Sequence, residues 1–156
     1  MTEMTHQMYS RAAITVRAAT ARDAISVRAL IDLFVPSGVL LPRSEDFIAT
    51  YAHNFVVAEA TGAGVVGCAY LDEYSPSIAE LRSLAVSPDW QGAGVGRALV
   101  HGIEQLARTR EYATLFAVSN DEAYFTRYGF ERREIPELDR ERSEVSKYKG
   151  VYAKEL

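Results

Sequence analysis

Apolar and polar residues alternate through Ile14-Thr15-Val16-Arg17, the period-two pattern of a half-buried strand. Thr20 is then followed three residues on by Asp23, an approximate helix N-cap signature, and Ile25, Leu30, Ile31 and Phe34 recur at helical spacing. Together they predict a helix over 21–34, stopped by Pro36-Ser37-Gly38. Val39-Leu40-Leu41-Pro42-Arg43 is a short apolar link with one charge at its end. Ser44 can cap a second helix, with Glu45 and Asp46 in the first turn, where the helix dipole favours carboxylates. Two β-rich runs follow, Phe55–Ala60 and Val65–Leu71, and the Thr61-Gly62-Ala63-Gly64 stretch between them suits a hairpin. Pro76 separates these from a third long strand, Ile78–Val86, and Ser87–Gly96 is a glycine-rich loop. Val95, Leu99, Val100, Ile103, Leu106 and Ala107 form one apolar stripe, which predicts a helix over 95–109. A strand at Leu115–Val118, a short helix over 121–128 stopped by Gly129, and a closing candidate edge strand over Gly150–Leu156 complete the chain. The resulting order, β-α-α-β-β-β-α-β-α-β, predicts an α/β protein with a mixed sheet flanked by about four helices. Residues 1–12 read as a loose polar lead-in and 13–156 as one domain, with no internal repeat or linker.

Composition narrows the function classes. The 156 residues carry 17 Lys+Arg against 21 Asp+Glu, a formal charge of −4, with 48% apolar residues. No apolar run approaches the roughly 20 residues of a membrane span, and the N-terminus lacks the layout of a signal peptide, so a cytoplasmic protein is expected. The single cysteine, Cys68, has no intramolecular partner, and three scattered histidines give no metal-ligand spacing. Nucleic acid is not the expected partner, because phosphate binding needs clustered Lys and Arg, which the nine tyrosines do not replace. Cys68 reads as a small core residue, His101 as a surface histidine, Trp90 as packing at the loop base, and Glu131–Glu144 as a solvated stretch of mixed charge.

The chemistry is concentrated in Val86-Ser87-Pro88-Asp89-Trp90-Gln91-Gly92-Ala93-Gly94-Val95-Gly96-Arg97. A strand enters a glycine-rich loop that opens directly onto a helix. The first N–H groups of a helix have no partner within it, the macrodipole adds about half a positive charge there, and glycines let a ligand approach the backbone. This is the make-up of a phosphate or pyrophosphate cradle, to which Arg97 could add a charge-assisted contact. A plain strand-to-helix turn that uses glycine for geometry is the other reading of the glycines taken alone. The Walker pattern is excluded because no Gly-Lys-Ser/Thr follows, and the spacing is not that of a dinucleotide fingerprint.

The spacing Gln91-x-x-Gly94-x-Gly96, between a strand ending Leu84-Ala85-Val86 and an amphipathic helix, resembles the acetyl-CoA motif of the GNAT N-acetyltransferases. A second family feature follows: a strand, then Asn120, then Tyr124-Phe125-Thr126-Arg127-Tyr128-Gly129-Phe130 ending in Gly-Phe. The upstream stretch Leu40-Leu41-Pro42-Arg43-Ser44, with Phe55–Glu59, Val66–Ala69 and Ala79-Glu80-Leu81-x-x-Leu84-Ala85-Val86, is similar to the acetyltransferase domain of bacterial N-acetylglutamate synthases. The resemblance runs from Ile14 to Phe130 and implies a stand-alone short form, without the amino-acid-kinase-like domain of the longer synthases and without its arginine-feedback site.

The resemblance implies a mostly antiparallel sheet splayed beside the Glu80–Val86 strand. Backbone groups of Leu84, Ala85 and Val86 would then serve the pantetheine and thioester, with Leu84 as oxyanion donor, and Gln91, Gly92, Ala93, Gly94, Val95, Gly96 and Arg97 would grip the pyrophosphate. Asn120 and Phe125 join the cofactor set. Glu80 stands where several family members place a general base; a solvent-facing glutamate paired with a cation is the alternative. The family's general-acid tyrosine falls on Phe125, which has no proton to give, and Tyr124 lies one residue off. A thiol of pKa near 8.5 leaves adequately as thiolate, so the chemistry tolerates the change. For the acceptor, Arg43 is the first candidate anchor. Arg82 shares a strand face with Glu80 and either touches substrate or neutralises Glu80. Lys147 and Lys149 lie where related synthases carry basic residues, surface solvation being the alternative.

The expected function is therefore direct acetyl transfer from acetyl-CoA, without a covalent acyl-enzyme or a metal, to a small-molecule amine, first of all the α-amine of L-glutamate at the entry to arginine biosynthesis. Another amine is the second candidate, and a non-catalytic acyl-CoA-binding module is the third, disfavoured by Glu80. Family habit suggests a homodimer, with the C-terminal strand a candidate contact.

Overall fold

The structure is a computed structural model that describes residues 14–136, Leu138 and 149–156. Its elements are β1 (Ile14–Ala18), α1 (Ala24–Asp32), α2 (Glu45–Thr50), β2 (Phe55–Ala60), β3 (Gly64–Glu73), β4 (Ile78–Val86), α3 (Val95–Thr109), β5 (Thr114–Ser119), α4 (Glu122–Thr126), β6 (Glu131–Arg132) and β7 (Gly150–Glu155). The seven strands hydrogen-bond in the order β1-β2-β3-β4-β5-β7-β6. The β1–β2, β2–β3, β5–β7 and β6–β7 pairs are antiparallel and β4–β5 is parallel, so the sheet is mixed and mostly antiparallel, as expected. The chain divides into two compact units.

The first unit holds the described residues up to Tyr70 together with Ser83–Ile103. Its core gathers Val27 and Ile31 of α1, Ile48 of α2, Phe55 and Val57 of β2, and Cys68 and Tyr70 of β3. Gly62 and Gly64 take φ of 81° and 75° in the β2–β3 hairpin, where a Cβ would be strained. Ser44 caps α2 by accepting from the Phe47 N–H at 3.0 Å. The first turn of the helix predicted over 21–34 is instead a 3₁₀ turn, Ala21–Asp23, with the α-helix confined to Ala24–Asp32. Asp23 closes that turn by accepting from the Thr20 N–H at 2.8 Å, and its two oxygens receive the Arg17 guanidinium at 2.8 and 3.0 Å. Those Arg17 hydrogen bonds hold the Asp23 carboxyl below the usual range.

The second unit holds Leu71–Arg82 and the described residues from Glu104 onward. Its core is Ile78, Phe116, Ile135, Val151 and Ala153. α3 ends in a left-handed residue, Glu111 at φ 64°; Tyr112 N–H donates to the Ala107 carbonyl at 3.0 Å and Glu111 N–H to Arg108 at 2.9 Å, the bond pair of a Schellman stop with glutamate in the usual glycine place. Lys154 on β7 donates to Glu104 at 3.0 Å and to the Tyr128 carbonyl at 2.8 Å.

Two expectations are corrected here. The C-terminal strand is not at the edge: β7 lies between β5 and β6, with Val151, Tyr152 and Ala153 buried in succession, so it is not an open edge for strand pairing between copies. Of the stretch 131–144, residues 131–134 and 136 are exposed as expected, but Glu131–Arg132 pair with β7, Ile135 is buried and Leu138 packs against it in the second core, two apolar anchors hidden by the surrounding charge; the rest lies outside the described residues.

Candidate active site

The glycine loop of the first unit has the backbone of an anion site. A 3₁₀ turn, Pro88–Trp90, follows β4, and Gln91 Nε2 donates to the Val86 carbonyl at 3.1 Å, tying the loop back to the end of the strand. Gly92 and Gly94 take φ of 81° and 84°, and a Cβ at either would meet open space. The first α-helical bond of α3 runs from Ala98 N–H to the Gly94 carbonyl at 3.1 Å. Helix geometry therefore leaves the N–H groups of Val95, Gly96 and Arg97 without intrahelical partners. Two left-handed glycines two residues apart carry the loop backbone, with no Cβ in the way, to these free N–H groups, an arrangement that suits phosphate. The predicted cradle residues Gln91, Gly92, Ala93, Gly94, Val95, Gly96 and Arg97 thus sit together, although Val95 is buried and contributes only its backbone. Trp90 is half-buried at the start of the loop.

The helix start is held against β3 by a missing side chain. A Cβ on Gly67 would lie 2.8 Å from Leu99 Cδ1 and 2.9 Å from Val95 Cγ1, both on α3. Next to it, Cys68 is fully buried, its thiol donates to the Ser83 carbonyl at 3.5 Å, and burial pushes that thiol up to about 12. Such a group remains a protonated core residue and is no nucleophile.

β4 carries two irregularities that the sequence did not announce. Its register with β5 covers Ile78↔Thr114, Ala79↔Leu115 and Glu80↔Phe116 and no residue beyond Glu80. Ser83 adopts φ 54°, a left-handed residue inside a strand, which bends the strand as a bulge does. The half-buried Leu84 and Val86 follow this kink, on either side of buried Ala85.

On the Glu80 half of β4, in the second unit, the side chain of Glu80 is 1% exposed, so the solvent-facing alternative is overturned. Arg82 Nε lies 3.9 Å from Glu80 Oε2, and Arg82 Nη1 donates to Asp72 Oδ2 on β3 at 3.1 Å. Asp72 is a functional candidate that sequence reasoning missed, because nothing in one chain reports which residue of a neighbouring strand faces Arg82.

In the first unit Arg43 lies over two aromatic rings, 4.8 Å from the Phe47 centroid and 5.6 Å from that of Tyr70, and those rings meet edge-on at 5.5 Å. α2 supplies Phe47, placed by the Ser44 cap, and β3 supplies Tyr70. A guanidinium presents its donors as one planar fork, the geometry that matches a carboxylate.

α4 places Phe125 where it is 6% exposed, stacked on Tyr152 at 6.1 Å and edge-on to Phe130. Tyr124 is half-buried; burial first, and then the neighbouring Tyr128 hydroxyl, push its phenol well above the usual value. Asn120 is exposed just ahead of Asp121, which caps α4 by accepting from Tyr124 N–H at 3.0 Å. Lys149 is half-buried, and Lys147 lies outside the described residues. Among the described residues no group of three His, Cys, Asp or Glu could hold a metal ion, and no helix is long and apolar enough to cross a membrane.

The fold and the loop together define an acyl-CoA acetyltransferase. The family profile described as acetyltransferase (GNAT) domain matches residues 51–132, and the chain is 30% identical over 119 residues to an uncharacterized N-acetyltransferase of Chlorobaculum tepidum, covering 76% of each. This chain belongs to the GNAT acetyltransferase family, and acetyl-CoA is its acyl donor. The amino-acid acetyltransferase of Ralstonia nicotianae is 31% identical over 132 residues, and the match spans 83% of this chain but only 29% of that protein. The solved N-acetylglutamate synthase of Neisseria gonorrhoeae, complexed with coenzyme A and N-acetyl-glutamate, is 28% identical with a TM-score of 0.80, covering 92% of this chain and 35% of that one.

Proposed function

We propose that this chain transfers the acetyl group of acetyl-CoA to the α-amine of an acidic amino acid, L-glutamate first. The observation that carries this reading is Arg43, set against the Phe47 and Tyr70 rings in the Leu-Pro-Arg-Ser stretch, where its planar fork suits a carboxylate. Likeness to amino-acid acetyltransferases adds support. The acceptor is an anion and the chain is itself negative, so a few placed cations and helix-terminal amides must supply the attraction.

An α-amino group has a pKa near 8, so only about a tenth is neutral at pH 7. Glu80 takes one ammonium proton, directly or through water. The freed nitrogen lone pair attacks the thioester carbon, forming N–C. The Leu84 N–H donates to the carbonyl oxygen as negative charge develops there, a contribution of about 3–4 kcal/mol. Collapse breaks C–S, the thiolate receives the second nitrogen proton, and Glu80 returns its proton to water. Ala85 and Val86 line the pantetheine with backbone, the Gln91–Arg97 segment holds the pyrophosphate, Asn120 and Phe125 border the cofactor, and Lys149 and Lys147 add cationic character for the acceptor. Cys68, buried and protonated, supports direct transfer over an acyl-cysteine.

The test follows free thiol release from acetyl-CoA against a panel of amines. Release with glutamate, and a rise in glutamate KM far above any rise in acetyl-CoA KM for Arg43→Ala, is expected. Release only with amines that lack a carboxylate overturns the acceptor assignment in favour of another amine. CoA binding without release from any amine leaves a binding module.

A further inference from the structure

We infer that Cys68 is a positioning residue for the oxyanion donor: its sulfur bridges the Ser83 carbonyl and the Ala85 N–H, and so aims the Leu84 N–H that lies between them. The inference rests on the reading of that N–H as the donor to the thioester oxygen. Ser83 holds φ 54° inside β4, a conformation that serine keeps only where its surroundings impose it. Cys68 on β3 meets this kink. Its thiol donates to the Ser83 carbonyl at 3.5 Å, a length suited to the large sulfur atom. The Ala85 backbone N–H donates to the sulfur in turn, a bond that opposes the upward push of burial on the thiol. Cys68, Ser83 and Ala85 are all buried, so water does not compete for these groups. Just past the kink the strand is tied to β3 by its own backbone, Ser87 N–H donating to the Val66 carbonyl at 2.8 Å.

Peptide planarity carries the effect to Leu84. A trans peptide holds its C=O and N–H in one plane, pointing opposite ways, and resists twisting. The Ser83 carbonyl and the Leu84 N–H share one such plane; the Leu84 carbonyl and the Ala85 N–H share the next. With the Ser83 carbonyl on the sulfur, the Leu84 N–H is directed away from it. With the Ala85 N–H on the same sulfur, the plane on the other side of the Leu84 Cα is held as well. One atom thus restrains both φ and ψ of Leu84. A thiol can do this because it is at once a donor and an acceptor, although weak as each. An oxyanion donor acts only when aimed at the place the oxygen takes in the tetrahedral state. A turn of this plane therefore costs turnover, while the Gln91–Arg97 segment that holds the pyrophosphate is left as it was. Cys68 touches neither substrate nor reacting atom.

The experiment is steady-state kinetics on Cys68→Ala, Cys68→Val and Cys68→Ser, with thermal melts to establish folding. Loss of a whole oxyanion donor costs about 10²–10³ in kcat, so Cys68→Ala, which only frees its aim, is expected to lower kcat by about tenfold or more with acetyl-CoA KM within twofold. Cys68→Val fills the space without bonding and should be as slow. Cys68→Ser keeps a donor and an acceptor on a shorter arm and should turn over at least threefold faster than either. A role in packing alone would rank them the other way, because the site is lined by Phe55, Val57 and Tyr70 and favours valine over a hydroxyl. Wild-type kcat in Cys68→Ala, a loss confined to KM, or Cys68→Val matching Cys68→Ser overturns the proposal. If the variants do not fold, the wild-type protein carries the test. Cys68 is the single cysteine of the chain, so the one S–H stretching band in its infrared spectrum belongs to this thiol. The band is expected below that of a free thiol in apolar solvent, and coincidence with it overturns the bridge. An ester in place of the Leu84 amide removes the N–H alone. Full turnover there overturns the oxyanion reading itself, whereas a loss there beside wild-type kcat in Cys68→Ala overturns only the role of Cys68.

Discussion

Gly67→Ala tests whether the anion loop is placed by the close approach of α3 to the sheet. The added methyl would meet Leu99 Cδ1 at 2.8 Å, Val95 Cγ1 at 2.9 Å and the Ala85 carbonyl oxygen at 3.3 Å. Carbon atoms rest at about 3.5–4.0 Å, so the two side-chain contacts are short by about 0.6 Å or more. Leu99 can swing its terminal methyl aside. Val95 cannot, because a β-branched residue in a helix is confined to nearly one rotamer. The first turn of α3 must therefore lift from β3, and the Gly92–Gly96 amides lift with it. Overpacking of this kind costs about 1–3 kcal/mol, offset by about 0.4–1 kcal/mol because alanine narrows the unfolded chain. A net loss of about 1–2 kcal/mol corresponds to a melting temperature lower by about 2–8 °C in a chain of this size.

The assay pairs a thermal melt with KM for acetyl-CoA and for the acceptor. Acetyl-CoA KM is expected to rise about fivefold or more, with acceptor KM within twofold. Gly102→Ala is the control on the same helix. Its Cβ would meet one tight neighbour, Val16 Cγ1 at 3.1 Å, on an edge strand that can yield, and alanine is the better helix former by about 1 kcal/mol. That variant is expected to keep both the melt and KM. Equal acetyl-CoA KM in Gly67→Ala and wild type would refute the link between strand packing and loop position.

Three further outcomes are expected. Glu111→Gly relieves the left-handed residue that ends α3, a strain of about 1–2 kcal/mol for a residue with a Cβ, and after glycine's entropy cost should raise the melting temperature by about 1–4 °C. Asp23→Asn removes a carboxylate whose proton affinity is depressed mainly by Arg17 hydrogen bonds. Because the folded-state value is lowered, the stabilisation is complete above the unfolded value of about 3.9 and disappears as pH falls through the folded one. The variant should thus be less stable by about 1–2 kcal/mol at pH 7, with Arg17 35% exposed keeping the figure small, and the gap should close toward pH 2 in urea titrations. Phe47→Leu removes one face of the Arg43 platform, worth about 0.5–1 kcal/mol, and should raise acceptor KM about two- to fivefold with acetyl-CoA KM unchanged; Phe47→Tyr should restore it.

Much of the architecture was legible because it rests on local signals. The α3 stripe runs from Val95 to Thr109 as the apolar spacing required, the Gly62–Gly64 hairpin closes where positive φ was needed, and Ser44 caps α2 through its own hydroxyl. The glycine loop was legible for the same reason, since left-handed glycine turns and a helix start are properties of consecutive residues. The C-terminal strand was misplaced because sheet order is not local: a six-residue strand segment reads the same at an edge as one place inside it, and its outer partner is the two-residue β6, too short to carry any pattern.

The site divides along the same line. Glu80 and Arg82 were paired by strand parity, which is local, and the 3.9 Å separation agrees with that pairing. Parity could not say that Arg82 commits its shorter bond to Asp72, ten residues back on another strand, nor that Phe47 and Tyr70 would both stand against Arg43. The kink at Ser83 was hidden for a different reason: serine has no preference for φ 54°, so its conformation is imposed by the neighbouring structure and stored as strain. Local sequence therefore supplies the chemical groups, while non-local packing sets their aim, and it is the aim on which catalytic rate depends.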